Sequence, residues 1–330
     1  MNIPFGARSE VMKAMTGFVE ESVEKYLKPI ESNWQPSDFL PDANNREEFF
    51  SQIRDIQQAA EGLSYDLVTV LVGDTITEEA LPTYESWLSR VEGIHEEPET
   101  NPWKTWVRGW TAEENRHGDL LNKYLFLSGR VNMREFETST QFLIADGFDI
   151  ETGQDPYRNF VYTSFQELAT NISHRRVATL AKQQGDTFLS KICGLVAADE
   201  KRHANAYSAF IKKIIEFDSS ELLVAFEDMM RKKIVMPAHF LRETGMEVGG
   251  LWGHFTDAAQ RIGVYTAIDY SNILQDLVVE WDLEHLVNLN EQGEKARDYL
   301  VRLPNRLLKI AERMGNPSKE YEFKWIGVQV

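Results

Sequence analysis

The clearest pattern in the chain is a stripe of eight positions: Leu189, Cys193, Val196, Glu200, His203, Tyr207, Phe210 and Ile214. The steps between them alternate between four and three, which is one face of an α-helix. A second stripe runs Val107, Trp110, Glu114, His117, Leu121 and Leu125. Apolar spacing of this kind recurs along the chain and predicts helix after helix. The expected segments are 10–30, 45–60, 66–92, 103–128, 157–183, 186–216, 219–243, 256–291 and 292–314. Residues 34–41 are expected to be extended, because Pro36 and Pro41 push the residues before them out of the helical region. Gly129 is the expected C-cap of the 103–128 helix. Gly147, Gly153 and Pro156 mark a turn, and Gly185-Asp186 another. The tail Tyr321–Val330 alternates weakly, which suggests a short β-hairpin. No linker stands out, so the expectation is an all-α chain forming a single domain over 1–330.

Both stripes carry a glutamate and a histidine three residues apart at their centres. A carboxylate buried alone is costly and must pair, protonate or bind metal. Two helices making the same costly choice point to one common cause. Glu at i and His at i+3 face the same way, and two such helices can hold two metal ions between them. Carboxylate-bridged di-iron bundles are built so, with one further Glu from each of two other helices. The repeat supplies those. Glu167 lies 33 residues before Glu200, and Glu78 lies 36 before Glu114. Spacing alone leaves Glu79 as an equal candidate for the first position. The expected metal ligands are therefore Glu78 (or Glu79), Glu114, His117, Glu167, Glu200 and His203.

Four carboxylates and two imidazoles suit iron or manganese, and the lack of thiolates argues against structural zinc. The expected chemistry is oxidation of a bound substrate by O₂ at two iron ions. Two further Glu/Asp–His spacings, Glu92–His95 and Asp282–His285, abut breaks in the pattern and are read as surface features. Asp199 is placed to accept the second N–H of a ligand histidine. Thr170, one turn past Glu167, is a candidate for the oxygen site. Tyr162, Tyr207 and Cys193 are read as core. No glycine-rich phosphate loop is present, so no nucleotide cofactor is expected.

Composition narrows the class. The chain has 330 residues, 42% hydrophobic and 26% charged, which is globular. The longest apolar run, Leu67–Val72, is far short of the ~20 residues a membrane span needs. The net charge of −17 disfavours nucleic acid and anionic membranes. Cys193 is the one cysteine, so no internal disulfide forms. The first ten residues hold no apolar signal core, so the expectation is that any targeting peptide has been removed or never existed.

Several strings carry a family resemblance. They are Trp110–Tyr124, Asp199-Glu200-Lys201-Arg202-His203, Val72-Gly73-Asp74 with Thr77–Tyr84, and Tyr162–Glu167. From about Trp34 onward the chain resembles the plant acyl-acyl carrier protein (acyl-ACP) desaturases. The resemblance implies a homodimeric, ferritin-like di-iron bundle in the plastid (chloroplast) stroma, in a mature form without its transit peptide. It implies insertion of a cis double bond into an acyl chain carried by ACP, using O₂ and two electrons from ferredoxin. It selects Glu78 over Glu79. It also implies an electron path through Trp34 and Asp199 to His117, and an oxygen-site role for Thr170.

The sequence departs from the common delta-9 stearoyl pattern at five expected tunnel positions. Trp87, Arg90 and Val91 stand where methionine, threonine and leucine are typical. Ile150 replaces a proline and Asn159 a glycine, and Gly245–Gly253 differs in length and charge. These changes suggest a shorter substrate, palmitoyl-ACP, and a double bond away from delta-9, with delta-4 as the specific expectation. The alternatives are an ordinary delta-9 stearoyl enzyme and, from another class, a ferritin-like iron store. ACP is acidic, so Arg231, Lys232 and Lys233 are candidates for its docking patch, with Lys201-Arg202 as a second.

Overall fold

The computed structural model describes residues 6–94 and 100–326. His95 and most of the following proline break lie outside the described residues, as does the end of the tail from 327. Twelve α-helices are present among the described residues: α1 (Gly6–Ala14), α2 (Thr16–Tyr26), α3 (Arg46–Glu61), α4 (Tyr65–Glu79), α5 (Leu81–Leu88), α6 (Pro102–Ser128), α7 (Met133–Asp146), α8 (Pro156–Gln183), α9 (Thr187–Lys232), α10 (Trp252–Arg261), α11 (Ala267–Glu280) and α12 (Glu291–Ala311). Among the described residues no strand forms. The described part of the tail expected to be a hairpin, up to Ile326, makes one antiparallel bridge, between Ile326 and Val131.

Helices α4, α6, α8 and α9 carry the two expected repeats, and α8 and α9 form the most extensive pairing. Their starts are written in the sequence. Asn101 caps α6 and Pro102 follows; Asp155 caps α8 and Pro156 follows. The cap side chain accepts an N–H that has no helical partner, and proline at the first position sacrifices no bond. Asp186 caps α9 by accepting from Leu189 N. Gly129 ends α6 in the left-handed region (φ 69°) as expected.

Several boundaries differ from expectation. The 66–92 segment breaks at Ala80 into α4 and α5, because Pro82 cannot donate within a continuous helix. Segment 10–30 splits into α1 and α2. Segment 219–243 ends at Lys232, and 256–291 divides into α10 and α11. The expected break near 217 survives only as a kink at Asp218 (φ −152°, ψ 60°) inside α9. There Asp218 accepts a hydrogen bond from the Tyr157 hydroxyl at 3.1 Å. Residues 34–41 are not wholly extended, since Pro36–Asp38 forms a 3-10 turn.

Two glycines set how closely helices approach. A Cβ at Gly73 would lie 2.1 Å from the Phe255 ring, so α10 seats directly on α4. A Cβ at Gly118 would lie 3.2 Å from backbone atoms of Glu78 and Glu79. The absence of side chains there brings α6 against the end of α4 that carries the first expected ligand.

Candidate metal centre

Both apolar stripes are buried over their whole length, and each turns its Glu and His inward. The four helices bring Glu78, Glu114, His117, Glu167, Glu200 and His203 together. Ligand-type atoms of Glu78, Glu114, His117 and Glu200 all lie within 4.8 Å of one another, as do those of Glu114, Glu167 and His203. Glu114 belongs to both groups. Its two oxygens divide between them: Oε2 lies 3.1 Å from His117 Nδ1, and Oε1 lies 2.6 Å from His203 Nδ1. Glu79 instead faces Asn122, whose amide donates to it at 2.5 Å.

Most outer atoms of these side chains are satisfied, whereas the inner atoms are not. Trp110 Nε1 donates to Glu167 Oε1 at 2.9 Å. His174 Nε2 lies 2.9 Å from Glu78 Oε1. His203 Nε2 lies 2.8 Å from Glu113 Oε2. The exception is His117 Nε2, which lies 3.6 Å from Asp199 Oδ2, beyond hydrogen-bond distance. In contrast Glu114 Oε1, Glu167 Oε2, Glu200 Oε1 and the Nδ1 atoms of His117 and His203 are buried without a hydrogen-bond partner. Buried polar atoms are rarely left so. A convergent set of orphaned carboxylate oxygens and imidazole nitrogens is the donor set of a cation site, so the residues fit a metal.

Proton affinities tell the same story. Burial pushes Glu167 and Glu200 up, and the neighbouring carboxylates add to this. Burial opposes ionisation of Glu114, yet His117 and His203 on either side hold it below the usual carboxylate range. Burial likewise opposes charging of the two histidines, but the surrounding carboxylates raise both well above the ordinary imidazole value. Protons thus offset the negative charge of the cluster, and a bound cation would take their place.

Behind the cluster, Asp199 gathers several donors. Trp34 Nε1 donates to its Oδ2 at 2.9 Å, Arg116 Nη2 at 3.0 Å, and Arg202 Nη1 to its Oδ1 at 2.6 Å. Trp34 stacks on His117, with ring centroids 6.1 Å apart and planes 13° from parallel. Arg116 caps the other contact, 4.2 Å from the Trp34 ring. Burial acts to raise Asp199, but His117 and Arg202 hold it below its usual range. The Thr170 hydroxyl donates to the Glu200 carboxylate. Three participants were not singled out in the sequence: Glu113, His174 and the indole of Trp110. Glu113 could have been found, since it precedes Glu114 just as Asp199 precedes Glu200.

An apolar cavity opens onto Glu78, Glu114, Glu167, Glu200 and Thr170. Leu81, Tyr84, Met236, Pro237, Trp252 and Phe255 line it. None of the five expected tunnel residues is on this lining. Trp87 is half-buried and packs edge-on against Tyr162, 5.7 Å between centroids. Arg90 is exposed, and its Nε donates to Ser86 O. Val91 and Ile150 are buried in the core. Asn159 is buried, and its amide donates to Gly153 O and Asp155 O. The second cavity wall comes from the 233–251 connection and α10; Trp252 falls within the Gly245–Gly253 segment expected to bear on the tunnel, whereas Met236, Pro237 and Phe255 lie outside the expected positions.

The candidate docking residues fare unequally. Arg231 is exposed but ion-paired with Glu227 at 2.6 Å, and Lys232 lies 3.4 Å from Asp228. Lys233 is exposed at the end of α9. Arg202 does not form an outer patch with Lys201, because it turns inward to Asp199, Glu113 and Tyr26 O. The other Glu/Asp–His spacing behaves as a surface feature, with His285 2.5 Å from Asp282 and both side chains largely exposed.

Comparison with known proteins places these observations. Residues 7–327 match the family described as fatty acid desaturase. The chain is 49% identical over 323 residues to the stearoyl-[acyl-carrier-protein] 9-desaturase 1, chloroplastic, of Arabidopsis thaliana, covering 96% of this chain and 81% of that one. It is 46% identical over 323 residues to the palmitoyl-[acyl-carrier-protein] 4-desaturase 3, chloroplastic, of Ophrys sphegodes, covering 96% and 80%. The solved structure of DesA2 from Mycobacterium tuberculosis H37Rv superposes with a TM-score of 0.53 at 14% identity, covering 87% of this chain and 99% of that one; this likeness is one of fold.

Proposed function

The chain belongs to the fatty acid desaturase family, and within it we propose a di-iron enzyme that desaturates palmitoyl-ACP at a position other than delta-9, with delta-4 as the specific expectation. The single observation that carries the metal reading is the ring of orphaned inner atoms on Glu114, His117, Glu167, Glu200 and His203, at one end of an apolar cavity. Glu78, Glu114, His117, Glu167, Glu200 and His203 would hold the metal. Four carboxylates supply four negative charges, which two divalent ions neutralise. Bound iron supplies the O₂-dependent redox chemistry that an unactivated C–H bond requires, since such a bond offers no acidic proton.

The chain's own residues do the rest. The apolar cavity strips water from an alkyl chain and fixes one pair of methylenes beside the cluster, and positioning of this kind decides which bond reacts. Thr170, by holding one oxygen of Glu200, restricts how that carboxylate can turn. Trp34 and Asp199 link His117 to the half-buried edge of the molecule, and we assign them the electron path. The overall balance consumes one O₂, two electrons and two protons, and forms one carbon–carbon double bond and two waters. Reduced ferredoxin is the proposed electron donor. A homodimer, a single domain over the whole chain and a plastid stromal location complete the reading, on the family resemblance. Arg231, Lys232 and Lys233 remain the proposed ACP contact.

The proposal for chain length rests on Trp87, Arg90, Val91, Ile150 and Asn159. Trp87 abuts Tyr162 from α5, the short helix whose Tyr84 lines the cavity. Trp87 is not on the cavity lining, so it would limit the room beyond the cluster indirectly, through the packing of Tyr162. Desaturation assays with iron-loaded protein, O₂, reduced ferredoxin and either palmitoyl- or stearoyl-ACP test this, with double-bond position read by mass spectrometry. A non-delta-9 palmitoyl product supports the reading. A delta-9 stearoyl product as the main outcome rejects it in favour of the ordinary enzyme.

A further inference from the structure

The two halves of the metal centre repeat each other closely, so the places where they differ are informative. Glu78 and Glu167 occupy matching positions, each on the helix before its Glu-x-x-His partner. Each has one oxygen held from behind and the other left toward the centre. The holders are different. Glu167 Oε1 accepts from the indole N–H of Trp110, at 2.9 Å. Glu78 Oε1 lies 2.9 Å from the imidazole Nε2 of His174.

His174 is wholly enclosed, and 1% of it is exposed. Its other nitrogen, Nδ1, has no partner within hydrogen-bond geometry, though the Cys193 thiol interacts with it. Burial keeps that thiol protonated. Next to it Ser173 Oγ donates to Asp74 at 2.7 Å. His174 therefore presents its Nε2 to a single acceptor, Glu78. Trp110 stands on α6 one turn before Glu114. The matching position on α9, one turn before Glu200, is Val196, which has no donor. No residue in the first half mirrors His174 either: seven residues past Glu78 is Glu85, which is exposed. The inequality is thus built into the sequence.

We infer that His174 and Trp110 are positioning residues, each fixing one terminal carboxylate, and that the two cation positions are consequently unlike and separately adjustable. An indole N–H donates along one fixed direction and cannot accept. An imidazole can donate or accept, and here its Nε2 meets Glu78 while the Cys193 thiol lies against the ring. The position served by Glu78 and His117 depends on His174. The position served by Glu167 and His203 depends on Trp110. Partners of this outer kind typically alter metal affinity by about 10–100-fold when removed. This inference rests on the metal reading above.

Titration of the metal-free full-length chain with Co²⁺, followed by calorimetry and visible absorption, tests it without turnover. His117→Ala leaves the Glu167/His203 position as the main one, and His203→Ala leaves the other. In the His203→Ala background, His174→Phe is expected to weaken Co²⁺ binding about 10–100-fold, and Trp110→Phe to change it little. In the His117→Ala background the order reverses. His174→Gln retains an N–H donor and is expected to recover much of the affinity, which separates positioning from folding. Equal effects of His174→Phe in both backgrounds, or none in either, overturn the inference. Fewer than two Co²⁺ ions per unmodified chain would instead overturn the metal reading on which it rests.

Discussion

Glu113 Oε2 lies 2.8 Å from His203 Nε2, although the two residues stand on different helices. The reciprocal pairing is Asp199 with His117, at 3.6 Å. Each acid-Glu-x-x-His helix thus supplies the carboxylate that orients the other helix's histidine. A carboxylate behind a ligand imidazole fixes its tautomer and turns the remaining nitrogen toward the metal. The repeat is therefore interlocked rather than merely duplicated.

Glu113→Gln should keep the shape and remove the charge. The expected outcome is a loss of about 10–100-fold in affinity for one of two metal ions. Iron content after equilibrium dialysis against a weak chelator checks this. Unchanged loading at both positions would show that Glu113 serves only its ion pair with Arg202.

Replacing Trp87 by methionine should lengthen the room beyond Tyr162. The expected result is a shift of preference from palmitoyl- toward stearoyl-ACP, measured as the ratio of kcat/KM for the two substrates. A tenfold change in that ratio corresponds to about 1.4 kcal/mol. An unchanged ratio would show that Trp87 does not set chain length.

Gly73→Ala should drive a methyl into the Phe255 ring, which lines the cavity. Overpacking of this kind costs about 1–3 kcal/mol. The predicted signature is a lowered Tm together with a raised KM for acyl-ACP. A fall in Tm with KM unchanged would mean that α10 yields without disturbing the cavity.

Asp269 carries a pH-dependent part of the stability. Burial acts to raise its proton affinity, but Arg176, with both carboxylate oxygens at 2.6 Å, and Thr266 hold it below the usual range. A lowered folded-state value means stability that is fully present above the unfolded value, about 3.9, and lost as pH falls through the folded one. Asp269→Asn is expected to cost about 2 kcal/mol at pH 7 and progressively less below pH ~4. Denaturant unfolding across that range checks the sign. A deficit that grows on acidification would contradict it.

Much of the centre was legible because burying a carboxylate and an imidazole in an apolar stripe is conspicuous. The spacing of Glu200 and His203, repeated at Glu114 and His117, located two helices, and the repeat then located Glu167. Glu78 needed the family resemblance to separate it from Glu79. His174 was illegible for a physical reason. Helix α8 is buried on nearly all sides, so no polar face makes an inward histidine stand out. Most of this cavity wall was missed because Met236, Pro237 and Phe255 reach it through tertiary packing, and nothing in their local pattern records that; only Trp252 falls within a segment, Gly245–Gly253, that was expected to bear on the tunnel. The division at Ala80 was available from Pro82 but was masked by apolar positions that recur on either side of it, at Ile76, Leu81, Tyr84 and Leu88.

The central claim is that one buried cluster holds two iron ions that share Glu114. Its most direct test is stepwise loading of the metal-free chain with ⁵⁷Fe²⁺, followed by air oxidation and Mössbauer spectroscopy. Saturation at two irons per chain and a spin-coupled pair are expected. Saturation at one iron, or two magnetically isolated ions, would contradict it.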